Sequence, residues 1–246
     1  MTTGRVVSWG GVVPKRGRDC NGLPASARLC RMRFDQQPHV VGTISLPDTL
    51  ARWAQKTEPV CDIVEVRLDK IGVDTPGWLD HCRAINAQIP VLLTIRLASE
   101  GGAWTAPEEQ RLDLFQRARP VVSAMDVELH SQLLPVLSPT IVSFHDFQKT
   151  PPLPELQAIA RRAAQCGDVV KIVTMIHTRA DLATLRQLLA TGCGKPLCVL
   201  GMGELAGPTR TEFPRLGSCL TYGYIDRPAA PGQPAAADLM RQLRAP

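Results

Sequence analysis

The chain has 246 residues, of which 44% are hydrophobic and 21% charged, with a formal net charge of +5; that is the composition of an ordinary globular protein, long enough for one barrel-sized core or for two small domains. No apolar run approaches the ~20 residues of a membrane span, and the N-terminus lacks the apolar segment of a secretory signal, so the chain reads as intracellular and cytoplasmic. Residues 1–33 hold Arg5, Lys15, Arg16, Arg18, Arg28, Arg31 and Arg33 against Asp19 alone, so the basic balance belongs to this tail and gives no argument for nucleic-acid binding by the folded body.

In chain order, residues 1–36 come first: rich in Gly and Arg, poor in acid, and without helical or strand period. They are expected to be a flexible basic extension ahead of one folded domain at 37–246; a targeting segment, or upstream sequence that never folds, stays open. From residue 39 short β-branched runs alternate with helical stretches. The predicted strands are His39–Ser45, Asp62–Leu68, Ile89–Ile95, Val121–Leu129, Thr140–Phe144, Val169–Thr174, Leu197–Leu200 and Ser218–Tyr222. Between them lie helix starts at Pro47-Asp48, Thr75-Pro76, Thr105 to Glu109 and Thr178 to Asp181, the last leading into a stripe of Leu182, Leu185, Leu188 and Leu189. Eight strands in one alternating series predict a (β/α)8 barrel, with an open doubly wound sheet as the alternative. The eight cysteines form no CxxC pair and have no histidine at zinc-finger spacing, so reduced thiols and no metal site are expected.

In a barrel, working residues project from the C-terminal ends of strands. Glu65 and Arg67, two apart near the end of the second strand, point to one side of it; they suit polyol hydroxyls, or neutralise each other within the packed interior. Arg96 ends the third strand and Glu100 follows in a Glu-Gly-Gly loop; Asp126 and Glu128 alternate along the fourth. His145 directly follows the fifth strand, in a field of carboxylates that suits a general base. Lys171 lies inside the apolar run of the sixth, where burial favours the neutral nucleophile that imine chemistry needs; snorkelling at the strand end, or pairing with a buried carboxylate, is the other reading. Gly201-Met202-Gly203 to Gly207 has GxGxxxG spacing and Pro208 behind it, which argues against a dinucleotide loop. Arg210, Gly217-Ser218 and Gln233 offer a cation, backbone donors and an amide suited to a carboxylate.

The ordered set EVRLD (Glu65–Asp69), TIR (Thr94–Arg96) with Glu100-Gly101-Gly102, DVEL (Asp126–Leu129), SFHDF (Ser143–Phe147), VKI (Val170–Ile172), MGxxxGPTR (Met202–Arg210), GSxxTY (Gly217–Tyr222) and PGQ (Pro231–Gln233) resembles type I 3-dehydroquinate dehydratase over roughly residues 38–243. The resemblance implies a lyase of the shikimate pathway that converts 3-dehydroquinate to 3-dehydroshikimate as a homodimer and without a cofactor. It implies an imine on Lys171, His145 as the base at C2 that also helps to expel the C1 hydroxyl, and Glu100 as the residue orienting it. Glu65, Arg67 and Arg96 are implied at the ring hydroxyls, Arg210 and Gln233 at the carboxylate, and Met202 as an apolar wall. One departure is visible: where many family members carry serine four residues before the glutamine of PGQ, this chain has Ala229. A lost neutral hydrogen bond costs about 0.5–1.5 kcal/mol and weakens binding without removing the reaction. The rivals are an imine-forming aldolase-type barrel, which needs no Arg210/Gln233 clamp, and a non-catalytic regulatory homologue, which needs no lysine–histidine pair.

Overall fold

The computed structural model describes residues 37–137, 140–228 and 233–245. The basic extension expected at 1–36, and Ala229, lie outside the described residues.

Eight parallel strands form one sheet: β1 (His39–Ile44), β2 (Ile63–Arg67), β3 (Val91–Thr94), β4 (Ala124–Glu128), β5 (Ile141–Asp146), β6 (Val169–Met175), β7 (Leu197–Met202) and β8 (Leu220–Tyr224). Their spatial order, β7-β6-β5-β4-β3-β2-β1-β8, follows the chain apart from β8, which pairs with β1 over five positions from His39↔Leu220 to Thr43↔Tyr224. The ring is thus nearly closed into the (β/α)8 barrel expected from the sequence. Its joint lies between β7 and β8, where no regular ladder forms. There Cys219 N–H donates to Leu197 O at 2.9 Å, Ser218 Oγ accepts from Val199 N–H at 3.1 Å, and Cys198 Sγ donates to Leu220 O at 3.3 Å.

The main helices are α1 (Pro47–Gln55), α2 (Trp78–Asn86), α3 (Glu108–Ala118), α4 (Leu153–Ala164), α5 (Arg179–Thr191) and α6 (Ala236–Arg244). The start signals read from the sequence act as expected at two of them. Proline occupies the first turn of α1, where its missing N–H costs nothing. Thr178 and Asp181 form a reciprocal capping box at the head of α5, which buries Leu185, Leu188 and Leu189. The Asp226 carboxylate reaches from beyond β8 to the other end of the chain, accepting from Ser45 N–H at 2.7 Å, Leu46 N–H at 2.8 Å and Ser45 Oγ at 2.9 Å. Of these, the Leu46 N–H is an orphan donor at the N-cap of α1.

Because side chains alternate across a strand, each strand sends one set outward to the helices and one set inward. Outward go Val64, Val66, Leu93, Val127, Val142, Val170, Ile172 and Val199, all packed with helix side chains. Inward, Val41, Ile63, Leu92, Ala124, Ile141 and Val169 form an apolar floor. Two residues further along their strands, the same faces carry Thr43, Glu65, Thr94, Asp126, Ser143 and Lys171. The site is therefore a polar storey built on an apolar one. The fifth strand runs two residues further than the sequence predicts, because His145 and Asp146 pair with Val173 and Thr174 of β6; the histidine is held in the sheet instead of on the loop beyond it.

Candidate active site

Lys171 sits on β6 and is the only buried lysine among the described residues. Its Nζ lies 3.0 Å from Oδ2 of Asp126 on β4 and 4.2 Å from the centroid of the Tyr222 ring on β8. The neighbouring strand β4 thus supplies the buried amine with a carboxylate.

Asp126 is one link in a chain of alternating charge. Its Oδ1 is 2.9 Å from Arg96 Nη2, Arg96 Nη1 is 3.0 Å from Glu128 Oε1, and Glu128 Oε2 is 2.8 Å from Nη1 of Arg111 on α3. Ser143 fastens the middle, accepting from Arg96 Nη1 at 2.7 Å and donating to Asp126 at 2.6 Å. Glu108 and Ser131 close the outer end around Arg111, which also donates to Ile95 O. Burial opposes the charge on Asp126, but Arg96, Lys171 and the Ser143 hydroxyl more than offset it and hold the carboxyl far below the usual range. The converse holds for Arg96: burial disfavours its charge, while Asp126 and Glu128 raise its pKa above the ordinary value.

His145 Nδ1 is 2.9 Å from Glu100 Oε2, which leaves Nε2 for other partners. Burial, reinforced by Arg96 and Lys171, pushes the imidazole well below its ordinary pKa, against a smaller pull from Asp126. Burial moves Glu100 the other way, up to about 7; repulsion from Glu128 and Asp126 adds to this and Arg96 opposes it. Two glycines make this geometry possible. A Cβ on Gly101, at φ +74°, would meet the Phe147 ring at 2.3 Å, and one on Gly102 would lie 2.0 Å from Arg96 O. The Phe147 ring in turn stacks beside His145, with centroids 6.1 Å apart.

Of the residues expected at ring hydroxyls, Glu65 accepts from Thr43 Oγ1 at 2.7 Å and Thr94 Oγ1 at 2.8 Å. Arg67 makes a bidentate pair with Asp69, through Nε at 2.9 Å and Nη2 at 2.8 Å. Neither the Glu65–Arg67 neutralisation weighed from the sequence nor a free Arg67 is what the barrel builds. On the far side, Arg210 donates from Nη1 to Gly201 O at 3.0 Å, its Nε is buried without a partner, and it has no carboxylate at ion-pair distance among the described residues. Burial pulls its pKa down, with Cys198 opposing. Met202 is half-buried at the end of β7 against the apolar interior. Gln233 is half-buried just past the residues that the structure does not describe.

Sequence reasoning assigned no role to Asp69, Arg111, Ser143 or Tyr222. The signal for Ser143 and Tyr222 was their strand parity, shared with His145 and Leu220; Arg111, in the Glu108-x-x-Arg111 spacing of α3, has the look of an exposed helical ion pair.

The arrangement unites a buried amine, a histidine held by a carboxylate, and an uncompensated guanidinium around one barrel mouth. Comparison with known proteins points the same way. The family model described as type I 3-dehydroquinase matches residues 42–246. A 3-dehydroquinate dehydratase of Methanocella arvoryzae is 35% identical over 219 residues, covering 86% of this chain and 98% of its own; one from Methanothrix thermoacetophila is 38% identical over 190 residues, covering 74% and 81%. Among solved structures, the 3-dehydroquinate dehydratase of Geobacillus kaustophilus superposes with a TM-score of 0.73 at 26% identity, covering 85% of this chain and 90% of its own.

Proposed function

The chain belongs to the type I 3-dehydroquinase family and dehydrates 3-dehydroquinate to 3-dehydroshikimate, and from that premise we propose that Lys171 forms the imine that activates the substrate. The observation that carries this reading is the position of Lys171 as the one buried lysine among the described residues, on the strand that pairs with that of His145.

The Lys171 amine adds to the C3 ketone and water leaves, giving a protonated imine. That cation withdraws electrons far better than the ketone, so His145 takes a C2 proton and the electron pair flows into an enamine. The pair returns as the C1–O bond breaks, His145 hands its proton to the departing hydroxyl, and water hydrolyses the imine to release product and lysine. Glu100, accepting at Nδ1, holds Nε2 toward the substrate with its lone pair free. Arg210 and Gln233 take the carboxylate, a role supported by the unpartnered Arg210 Nε. Glu65, Arg67 and Arg96 face the ring hydroxyls with what their partners leave over: Glu65 has further lone pairs, and Arg67 Nη1 lies outside its pair with Asp69. Met202 walls the apolar side.

Borohydride added with 3-dehydroquinate is expected to fix the ligand mass on the peptide containing Lys171. His145→Ala is expected to lose about 10²–10⁴-fold in turnover while still trapping ligand. Labelling of another lysine, or none in an active enzyme, overturns the assignment. The proposal extends to a homodimer acting in the cytoplasm, with residues 1–36 as an extension ahead of the barrel. It rests on the resemblance and on a matched region that begins at residue 42. Light scattering tests the dimer, and a variant lacking 1–36 is expected to keep its thermal midpoint.

A further inference from the structure

Lys171 Nζ is held between two groups of different kinds, and they respond differently to imine chemistry. Asp126 Oδ2, at 3.0 Å, is a hydrogen-bond acceptor as well as a charge. Imine formation strips the nitrogen of all but one of its hydrogens while the positive charge stays and spreads onto the adjoining carbon, so hydrogen bonding around it declines. An aromatic face needs no hydrogen from its cation, and its attraction strengthens where water is excluded. The Tyr222 face, 4.2 Å from Nζ, meets both conditions: the side chain is 5% exposed, in the barrel interior with Cys198, Leu200 and Val173.

The rest of Tyr222 is not explained by packing. Its Oη is buried with no hydrogen-bond partner among the described residues, so no phenol hydrogen bond there fixes the ring. Burial, with Glu65, Cys198 and Asp126 nearby, keeps the phenol protonated, its pKa far above the ordinary value. As a filler of this layer leucine would serve without orphaning a hydroxyl; what it lacks is a π face beneath the nitrogen.

We infer that Tyr222 is a further catalytic residue, whose ring face stabilises the iminium on Lys171 and so sets how much of it accumulates before the C2 proton is removed. The amine that attacks the ketone and the enamine that follows are both neutral, so the ring favours the iminium over each of them. Its contribution is therefore read in imine formation and kcat/KM more than in the deprotonation step. The inference rests on the assignment of the imine to Lys171.

The test replaces residue 222 with phenylalanine and with phenylalanines of increasing ring fluorination, which weaken the π face while barely changing its size, and follows borohydride trapping of 3-dehydroquinate at limiting substrate. Tyr222→Phe is expected to trap within about 2-fold of the parent, and trapping should fall progressively along the fluorinated series, by about 2- to 30-fold in all. Tyr222→Leu should lie at the bottom of that range. A flat series with ligand still on Lys171 overturns the inference, as does a Tyr222→Phe loss as large as that of Tyr222→Leu, which would put the effect in the hydroxyl. If the unaltered enzyme traps nothing on Lys171, the imine assignment fails first and this inference falls with it.

Discussion

On the β2–β5 side of the barrel mouth the charged side chains are paired with one another, whereas on the β7–β8 side Arg210 and Tyr222 each keep a buried polar atom with no partner among the described residues. A closed network has its energy in place before any ligand arrives and fixes geometry. An open one leaves buried donors at a cost, which a ligand bearing the right charge relieves on binding. One half of the mouth is thus a jig, and the other is a receptor.

Truncating one arginine on each side should separate the two halves of the mouth. Arg96→Met leaves Asp126 with Lys171 as its one cation and Glu128 with Arg111 as its own; removing one partner from a buried ionic network costs about 3–5 kcal/mol. At about 2–4 °C per kcal/mol for a chain of this size, the thermal midpoint should fall by about 6–20 °C. Arg210→Met removes a buried cation without a carboxylate partner, so calorimetry should find the midpoint unchanged or higher. The loss should appear instead in KM, which is expected to rise about 30-fold or more, the counterpart of at least about 2 kcal/mol for an unpaired substrate carboxylate. An Arg210 variant that unfolds as readily as the Arg96 variant removes the distinction.

The smallest expected effect lies where the paired side meets the chemistry. Glu100 is held up to about 7 by burial and by its acidic neighbours, while His145 lies well below its ordinary value. Below about pH 7, then, the proton goes to Glu100, whose O–H donates to Nδ1 and forces the other ring hydrogen onto Nε2, the atom needed as base. Activity should therefore show an acid limb near pH 7, and Glu100→Gln, whose amide oxygen still accepts from Nδ1–H, should flatten it. The sign for stability follows from the same shift. The unfolded chain releases this proton near the ordinary carboxyl value and the folded one near 7, so the contribution of Glu100 to stability declines as pH rises between those limits and stays low above them. The midpoint difference between the Glu100→Gln variant and the parent should accordingly grow from pH 5 to pH 8; a constant difference rules the shift out.

How much of this could be read in the sequence depends on the kind of information each feature needs. Eight strands and their inward parity are local properties, visible in runs such as Val169–Thr174, and they suffice to bring Glu65, Asp126 and Lys171 into one interior. Partner choice is not local. Nothing in the neighbourhood of Lys171 says that Asp126 is 3.0 Å away, because that depends on the register of β4, β5 and β6 together. Arg111 is the clearest case: on α3 it has the spacing of a surface ion pair with Glu108, and only the wrapping of that helix onto β4 buries it against Glu128. Strand ends were misjudged for a related reason. His145 has no strong strand propensity, and it extends β5 because β6 beside it continues to Met175.

The joint between β7 and β8 bears on how the molecule comes together. Neighbours in sequence, these strands hold each other through a few isolated bonds, two of them involving side chains, while β8 finds its ladder on β1 and Asp226 clasps Ser45 across 181 residues. Closing so long a loop draws its entropy cost before any contact rewards it. The last strand is therefore recruited by the first, and the barrel becomes a ring only when its two ends meet. Loss of β1 deprives β8 of its ladder, and native-state hydrogen exchange should find the amides of Val199 and Cys219 opening ahead of those in the β2–β3 ladder.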